Sequence, residues 1–439
     1  MRTIRKTACL ATMLLSMPYA ASAQSVTLDQ QILLQLQETI KQQQLQLQQQ
    51  SEQIKAQSEV LQKLQQQVST MQQKPVPLPV ESQTPVLLQA VNPPPPAPVV
   101  SGNDKIKLAI SGQINRAVNV INDGGNTKLY HVDNDASNTR VKFVGTGIIN
   151  DDLTLGAKLE VSLTADESSQ VSQLNQAPGN FLSTRWAEVT LESKKLGKIS
   201  LGKGDTASNN SASVDLSRTD VILYSSISDI AGGMLFRQKN GLLTSTNVAT
   251  AFNSLDGQSR QSRLRYDSPT LFGFSLAGSL ISQQCSDIAL FWGGEGYGFE
   301  AGGAFGAGNP KIANSGLQYD GSFSLLHKDT GLNLSLSGAM LESKTGKDAI
   351  NLYGKLGWIA NLTRLGYTAF GVDYTRTDNM SGSGDRGYSV GAAVVQSFEK
   401  IATEVYLQYR IYSLKMAASN NPEPLNDINM GTFGVRVQF

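Results

Sequence analysis

Basic residues recur at every second position in several stretches of the chain. Arg140 and Lys142 flank Val141, and Arg263 and Arg265 flank Leu264. Alternate residues of a strand share a face, so each pair would aim two cations in one direction. Lys158, Lys355, Arg410 and Arg436 stand in the same alternating context. A guanidinium is a planar fork that grips a carboxylate or phosphate through two hydrogen bonds, and an ammonium is a compact point charge. Rows of such groups select and hold anions; they are not by themselves catalysts. A second stretch, roughly residues 205–238, sets Asp205, Asp215, Arg218, Asp220 and Asp229 among small residues and supplies the opposite charge.

Patterns for covalent or metal chemistry are weak. Gly387-Tyr388-Ser389-Val390-Gly391 fits G-x-S-x-G, but a nucleophile elbow needs a strand–turn–helix context. Here it lies within the alternating run RGYSVGAAVVQSF. His131, read as a loop residue in YHVDND, and His327, beside a turn, are the two histidines, and neither has a serine in a lipase-like pattern. Metal centres want clustered His or Cys. The segment HVDNDASN lacks the spacing and closing Glu of a calcium loop and reads as a solvated or lipopolysaccharide-bridging loop. No enzyme, cofactor or energy source is indicated.

The segments that carry the cations alternate with period two. DLTLGAKLEVSLTA puts Leu153, Leu155, Ala157, Leu159, Val161 and Leu163 on one face and Thr154, Lys158, Glu160 and Ser162 on the other. GLNLSLSGAML and TEVYLQYRIY do the same, the latter setting Val405, Leu407, Tyr409 and Ile411 against Glu404, Tyr406, Gln408 and Arg410. Short turns such as KKLGK, HKDTG and NLTRLG fall between some of these runs and long polar loops between others. Strands of about ten residues, short turns against long loops and a wet-looking polar face are the pattern of an all-β transmembrane barrel. Closure leaves no unpaired backbone in lipid. At about 21 residues per strand with its loop, residues 105–439 hold about 16 antiparallel strands. Tyr266, Phe272, Phe274, Trp358, Tyr374, Phe433 and Phe439 suit interfacial girdles. GTFGVRVQF, with Phe433, Val435, Val437 and Phe439 on the lipid parity, reads as the closing strand, paired with KIKLAISGQINRAVNV. Arg116 falls on the apolar parity of that first strand, where lipid exposure at mid-depth would cost ~2–4 kcal/mol. Either a bulge re-aims it or that face meets another subunit.

The N-terminal part is organised differently. Arg2, Arg5 and Lys6 precede a short apolar run and Ala21-Ser22-Ala23, which together read as a signal peptide over residues 1–23. Removing those three cations from 37 basic residues leaves 34 against 36 acidic ones, a net of −2, which argues against nucleic acid as a partner. Of the two cysteines only Cys285 would remain, so no intrachain disulfide can form. Between residues 26 and 73, Leu33, Ile40, Leu47, Ile54, Leu61 and Val68 are spaced seven apart, an α-helical coiled-coil seam roughly 70 Å long. Gln43, Gln50 and Gln57 at d positions weaken its middle. Residues 74–104 carry nine prolines and read as a semi-rigid linker.

This order of signal, coiled coil, Pro-rich spacer and barrel resembles the DcaP-like trimeric porins of Gram-negative outer membranes. NTRVKFVGTGIINDDLTLGAKLEV is similar to their second and third strands, EVTLESKKLGKISLGKGD to the fourth and fifth, and YDSPTLFGFSLAGSL to the approach to the middle of the barrel. The resemblance implies a homotrimer in the outer membrane, contacting its lipid and lipopolysaccharide, with a periplasmic coiled coil and a third long loop folded inward to narrow each pore. It also implies passive uptake of small anionic solutes, dicarboxylates included. The cations named above would then line the pore and the acidic stretch would form the constriction loop. Tyr406 and Tyr412 on one inward face leave a sugar-preferring or general porin open. A barrel serving only as anchor for a stalk that tethers the outer membrane is the structural alternative.

Overall fold

The computed structural model describes residues 99–102, 106–282, 285–421 and 423–439, with Lys41 and Gln48 as two isolated helical positions. The signal peptide, the coiled coil and most of the linker lie outside the described residues. The strands are β1 (Val99–Gly102), β2 (Ile106–Asn122), β3 (Thr127–Asp133), β4 (Arg140–Ile148), β5 (Leu153–Ala165), β6 (Asn180–Ser193) and β7 (Gly197–Asp205). They continue with β8 (Leu235–Arg237), β9 (Leu243–Asn247), β10 (Arg260–Asp267), β11 (Phe274–Ile281), β12 (Cys285–Gly296), β13 (Phe299–Asn309) and β14 (Ser315–His327). The last six are β15 (Leu332–Ser343), β16 (Ala349–Ala360), β17 (Thr368–Asp378), β18 (Arg386–Phe398), β19 (Thr403–Lys415) and β20 (Ile428–Gln438).

Eighteen of these form one sheet. β3 and β4 succeed each other along β2 as one interrupted strand, and β1 only extends an edge, so the closed antiparallel barrel has 16 strands. Closure runs through β20, which pairs with β19 on one side and β2 on the other. Phe439 and Gly112 exchange two backbone hydrogen bonds of 3.0 and 2.7 Å at its end. Below that point β1 takes the edge of β2 that β20 leaves, with Val99 opposite Ile110. An unpaired backbone edge in hydrocarbon costs several kcal/mol per group, and β1 removes part of one. It does so from within the stretch read as linker.

The alternation sorts as expected. Leu155, Leu159 and Leu163 of β5 are exposed on the outside, while Glu160, Ser162 and Thr164 are buried inside. The seven aromatics read as girdle residues are all exposed, although Phe433 stands mid-strand, opposite Val118 and Leu407. One rim carries tight turns. At Gly331 (φ +71°) a Cβ would lie 1.9 Å from the Ile359 carbonyl oxygen, so only glycine fits that turn. The other rim carries the long connections 166–179, 206–259 and 416–427.

Two local readings change. His131 belongs to β3, and three polar residues of HVDNDASN turn into the lumen rather than into solvent: Asn134, Ser137 and Asn138 are buried, bonded to inward-facing Gln113 and Tyr406. The Asn134 side chain both caps this turn, accepting from Ala136 N, and donates to Val221 O at 2.9 Å. A lipopolysaccharide-bridging role for this segment therefore fails. Arg116 lies in regular register with Val435 and Asp133, so no bulge re-aims it. Its half-exposed side chain stays outside, donating to Ala165 O at 2.5 Å with Asp133 at 3.8 Å.

Candidate functional site

The connection between β7 and β10 folds into the barrel. It spans residues 206–259, longer than the 205–238 read from sequence, because the hairpin of β8 and β9 and a helical turn at Val248–Ala251 prolong it. Its apolar residues Val221, Ile222, Leu223, Ile227, Ile230, Phe236 and Phe252 pack in one buried cluster with Tyr353, Tyr367, Tyr406 and Tyr412 of the wall. Where this cluster lies, the lumen is a dry core rather than a wet passage.

A buried loop must satisfy its backbone, and the wall does this with side chains. Ser322 and Ser324 of β14 accept from Val214 N (2.9 Å) and Leu216 N (3.0 Å). Gln408 and Tyr412 of β19 donate to Ile222 O (2.8 Å) and Ile227 O (2.7 Å), and Asn119 of β2 donates to Ile230 O (2.9 Å). Glycines permit the close approach. A Cβ at Gly306 of β13 would stand 2.5 Å from Ser211 Oγ. The glycines of the G-x-S-x-G match have similar causes: Gly387 lies under Phe252, and Gly391 under the Arg410 guanidinium.

The cations read from sequence divide into two groups. Five are buried in ion pairs. Arg263 meets Glu188 at 2.5 Å, Arg265 meets Asp267 at 2.6 Å, Arg410 meets Asp373 at 2.6 Å, and Arg436 donates through Nε to Glu404 at 2.7 Å. Lys355 bonds Asp215 of the loop, with Ser217 Oγ (2.6 Å), Thr219 Oγ1 (3.0 Å) and Leu223 O (2.8 Å) completing its cage. Arg140, Lys142 and Lys158, on the inner face of β4 and β5, are only partly buried.

Two further cations join them. Arg185 sits at a register shift in β6, where Glu160 pairs with Trp186 but Val161 pairs with Thr184. The extra residue turns its side chain inward, and Arg185 Nε donates to Glu160 Oε1 at 2.7 Å, with Arg140 Nε at 3.7 Å from the same oxygen. Arg260, at the root of the loop, pairs with Asp205 at 3.2 Å and lies over Trp186 at 4.6 Å, while the Lys158 ammonium is 3.6 Å from the same ring. Five cations therefore gather around Trp186, Glu160 and Asp205. Strict parity hid Arg185, because a bulge reverses the facing of every residue beyond it.

In the loop, Asp215 is buried against Lys355, Arg218 stacks on Tyr367 at 4.7 Å, and Asp229 accepts from Tyr224. Asp220 is half-buried between the buried residues Thr219 and Val221. Tyr406 and Tyr412 lie beneath the loop, 1% and 0% exposed, so no sugar can stack on them.

A closed barrel narrowed by an inward connection, with cations on one wall, is a channel geometry. The family model described as Gram-negative porin matches residues 92–421. The chain belongs to the Gram-negative porin family. The porin is accordingly an outer-membrane protein, and its family and fold are those of a channel. The anion-selective porin from Comamonas acidovorans is 13% identical, with 76% of this chain and 100% of that chain covered and a TM-score of 0.53. OmpT of Vibrio cholerae, folded in vitro and solved in a trimer form, is 12% identical, with 76% and 100% covered and a TM-score of 0.51. The outer membrane channel DcaP of Acinetobacter baumannii is 10% identical, with 77% and 99% covered and a TM-score of 0.49. No curated protein matches the chain in sequence.

Proposed function

We propose that this porin is a passive diffusion channel for small hydrophilic anions of the dicarboxylate type, working as a homotrimer. The observation that carries the reading is the one-sided charge of the lumen. The loop anchors on β2 and on β11 to β19, while β4, β5 and β6 present Arg140, Lys142, Lys158 and Arg185. Fixed charge of one sign in a low-dielectric passage raises the local concentration of the opposite ion and lowers that of its own. A dicarboxylate could engage Arg140 and Arg185 in place of Glu160, with Trp186 excluding water at one side.

In this reading the five buried cations, Arg263, Arg265, Lys355, Arg410 and Arg436, hold the wall and loop in shape rather than meet the solute. The face bearing Arg116 meets another protomer, which would remove a charge from lipid. Support for trimers comes from the V. cholerae protein of like fold, and for anion preference from the C. acidovorans one. Residues 26–73 would serve as a periplasmic coiled coil that spaces or reinforces the trimer, joined through the 74–104 linker.

The test is the reversal potential of the purified protein in a planar bilayer under a salt gradient, with and without succinate. Anion preference with succinate block, and conductance in steps of three, is the expected result. Cation preference or indifference to succinate would refute the anion reading and leave a general porin.

A further inference from the structure

The outer face of β17, β18 and β19 carries cations at its long-loop end. Strand pairing puts Asp378, Arg386 and Lys415 in one row, and Arg376 lies one outward position below Asp378. Asp378 accepts from Arg376 Nε at 2.9 Å and from Arg386 Nε at 2.8 Å, which draws the two guanidiniums together. Their side chains remain 42% and 50% exposed, and Lys415 is exposed as well. Three cations against one carboxylate leave the patch at +2.

Directly below, the same face turns apolar and aromatic. Tyr374 is paired with Val390, and Tyr409 follows one outward position further down; all three are exposed. Each outward step is two residues, about 7 Å; Arg376 stands one step, and Arg386 and Lys415 two steps, above Tyr374 and Val390, which puts the cations at head-group depth over the band that meets hydrocarbon. Outer-membrane barrels turn their long loops to the cell exterior, which places this patch in the outer leaflet. Charge on the lipid face costs little at that depth and several kcal/mol at the midplane.

We infer that Arg376, Arg386 and Lys415 form a binding site for the phosphorylated head group of an outer-leaflet glycolipid, its acyl chains lying along Tyr374, Val390 and Tyr409. Asp378 orients the two guanidiniums so that phosphate meets a preformed fork. The inference rests on the outer-membrane placement of the porin and is independent of what passes through the lumen.

The test is native mass spectrometry of the full-length, delipidated porin titrated with bisphosphorylated lipid A, and in parallel with dephosphorylated lipid A and with phosphatidylglycerol. The variants are R386Q and the triple R376Q/R386Q/K415Q, each first shown to retain the heat-modifiable mobility of a folded barrel. Bisphosphorylated lipid A is expected to bind the wild type, and the triple variant about a hundredfold more weakly, with R386Q between. Dephosphorylated lipid A should not distinguish wild type from variant. Equal binding to wild type and triple variant would overturn the site. Phosphatidylglycerol bound as tightly as lipid A would overturn the glycolipid assignment. Loss of the oligomer in the triple variant would reassign the patch to a protein–protein interface.

Discussion

Lys355 of β16 buries its ammonium against the carboxylate of Asp215 in the inward loop. Asp215 also accepts from Ser335 Oγ at 3.1 Å and from its own loop at Ser217 N, 2.9 Å. The pair ties residues 211–223 to the barrel.

Removing one partner of such a pair strands the other charge in a dry site. Lys355→Met or Asp215→Asn is expected to destabilise the docked loop by about 3–5 kcal/mol. The readout is a noisier, larger single-channel conductance and faster proteolysis within residues 206–259. The combined Lys355→Met/Asp215→Leu change should recover much of the loss, since no bare charge remains; additive losses would show that the pair is not coupled.

Replacing Arg185 tests the wall. Arg185→Ala should lower the anion-to-cation permeability ratio measured by reversal potential, and Arg140→Ala/Lys158→Ala should lower it further. Arg410→Ala should instead reduce folding yield without a selective change, because Arg410 is sealed against Asp373. Selectivity that tracks Arg410 rather than Arg185 would mean the wrong cations have been assigned to the passage.

Gly306→Val probes how closely the loop lies on β13. Its added carbons would collide with Ser211 and Ser208. Overpacking of this kind typically costs about 1–3 kcal/mol. The expected outcome is a folded barrel with a displaced loop root, seen as raised conductance and a lower melting temperature. A wild-type trace would contradict the packing.

Asp123, in the turn between β2 and β3, reaches the loop hairpin through Arg237 at 2.7 Å. Burial pushes its carboxyl up, but hydrogen bonds from Arg237, from the backbone of Asn126 and Gly125 and from Gln173 outweigh that and bring it to about 2. A carboxyl lowered on folding contributes stability above its unfolded value of about 3.9, and this is lost as pH falls toward 2. Acid titration should therefore loosen the hairpin between about pH 4 and pH 2, read by protease sensitivity. Asp123→Asn should be loosened already at pH 7 and show no further change over that window.

Much of the barrel was legible because each strand carries its own evidence of facing. Leu155, Leu159 and Leu163 alternate with Glu160, Ser162 and Thr164, and the sheet then sorts them without exception in that run. Legibility stopped where facing ceased to be local. Ser322, Ser324 and Gln408 look like a wet wall, yet they serve the backbone of a loop more than a hundred positions away. Arg185 looks outward until the bulge is placed, and Arg410 looks like a pore cation until Asp373 is found beside it.

The sequence by itself determined the class of the protein: alternation, turn spacing and aromatic placement require a closed sheet in lipid, since no other strand arrangement satisfies its backbone there. It also set which residues point inward along every regular strand. Only the tertiary structure decided which inward cations are free to meet a solute. That outcome depends on where residues 206–259 lie across the lumen, and the position of that loop is fixed by contacts such as Lys355 with Asp215, whose members are distant in sequence and meet only when the barrel has closed.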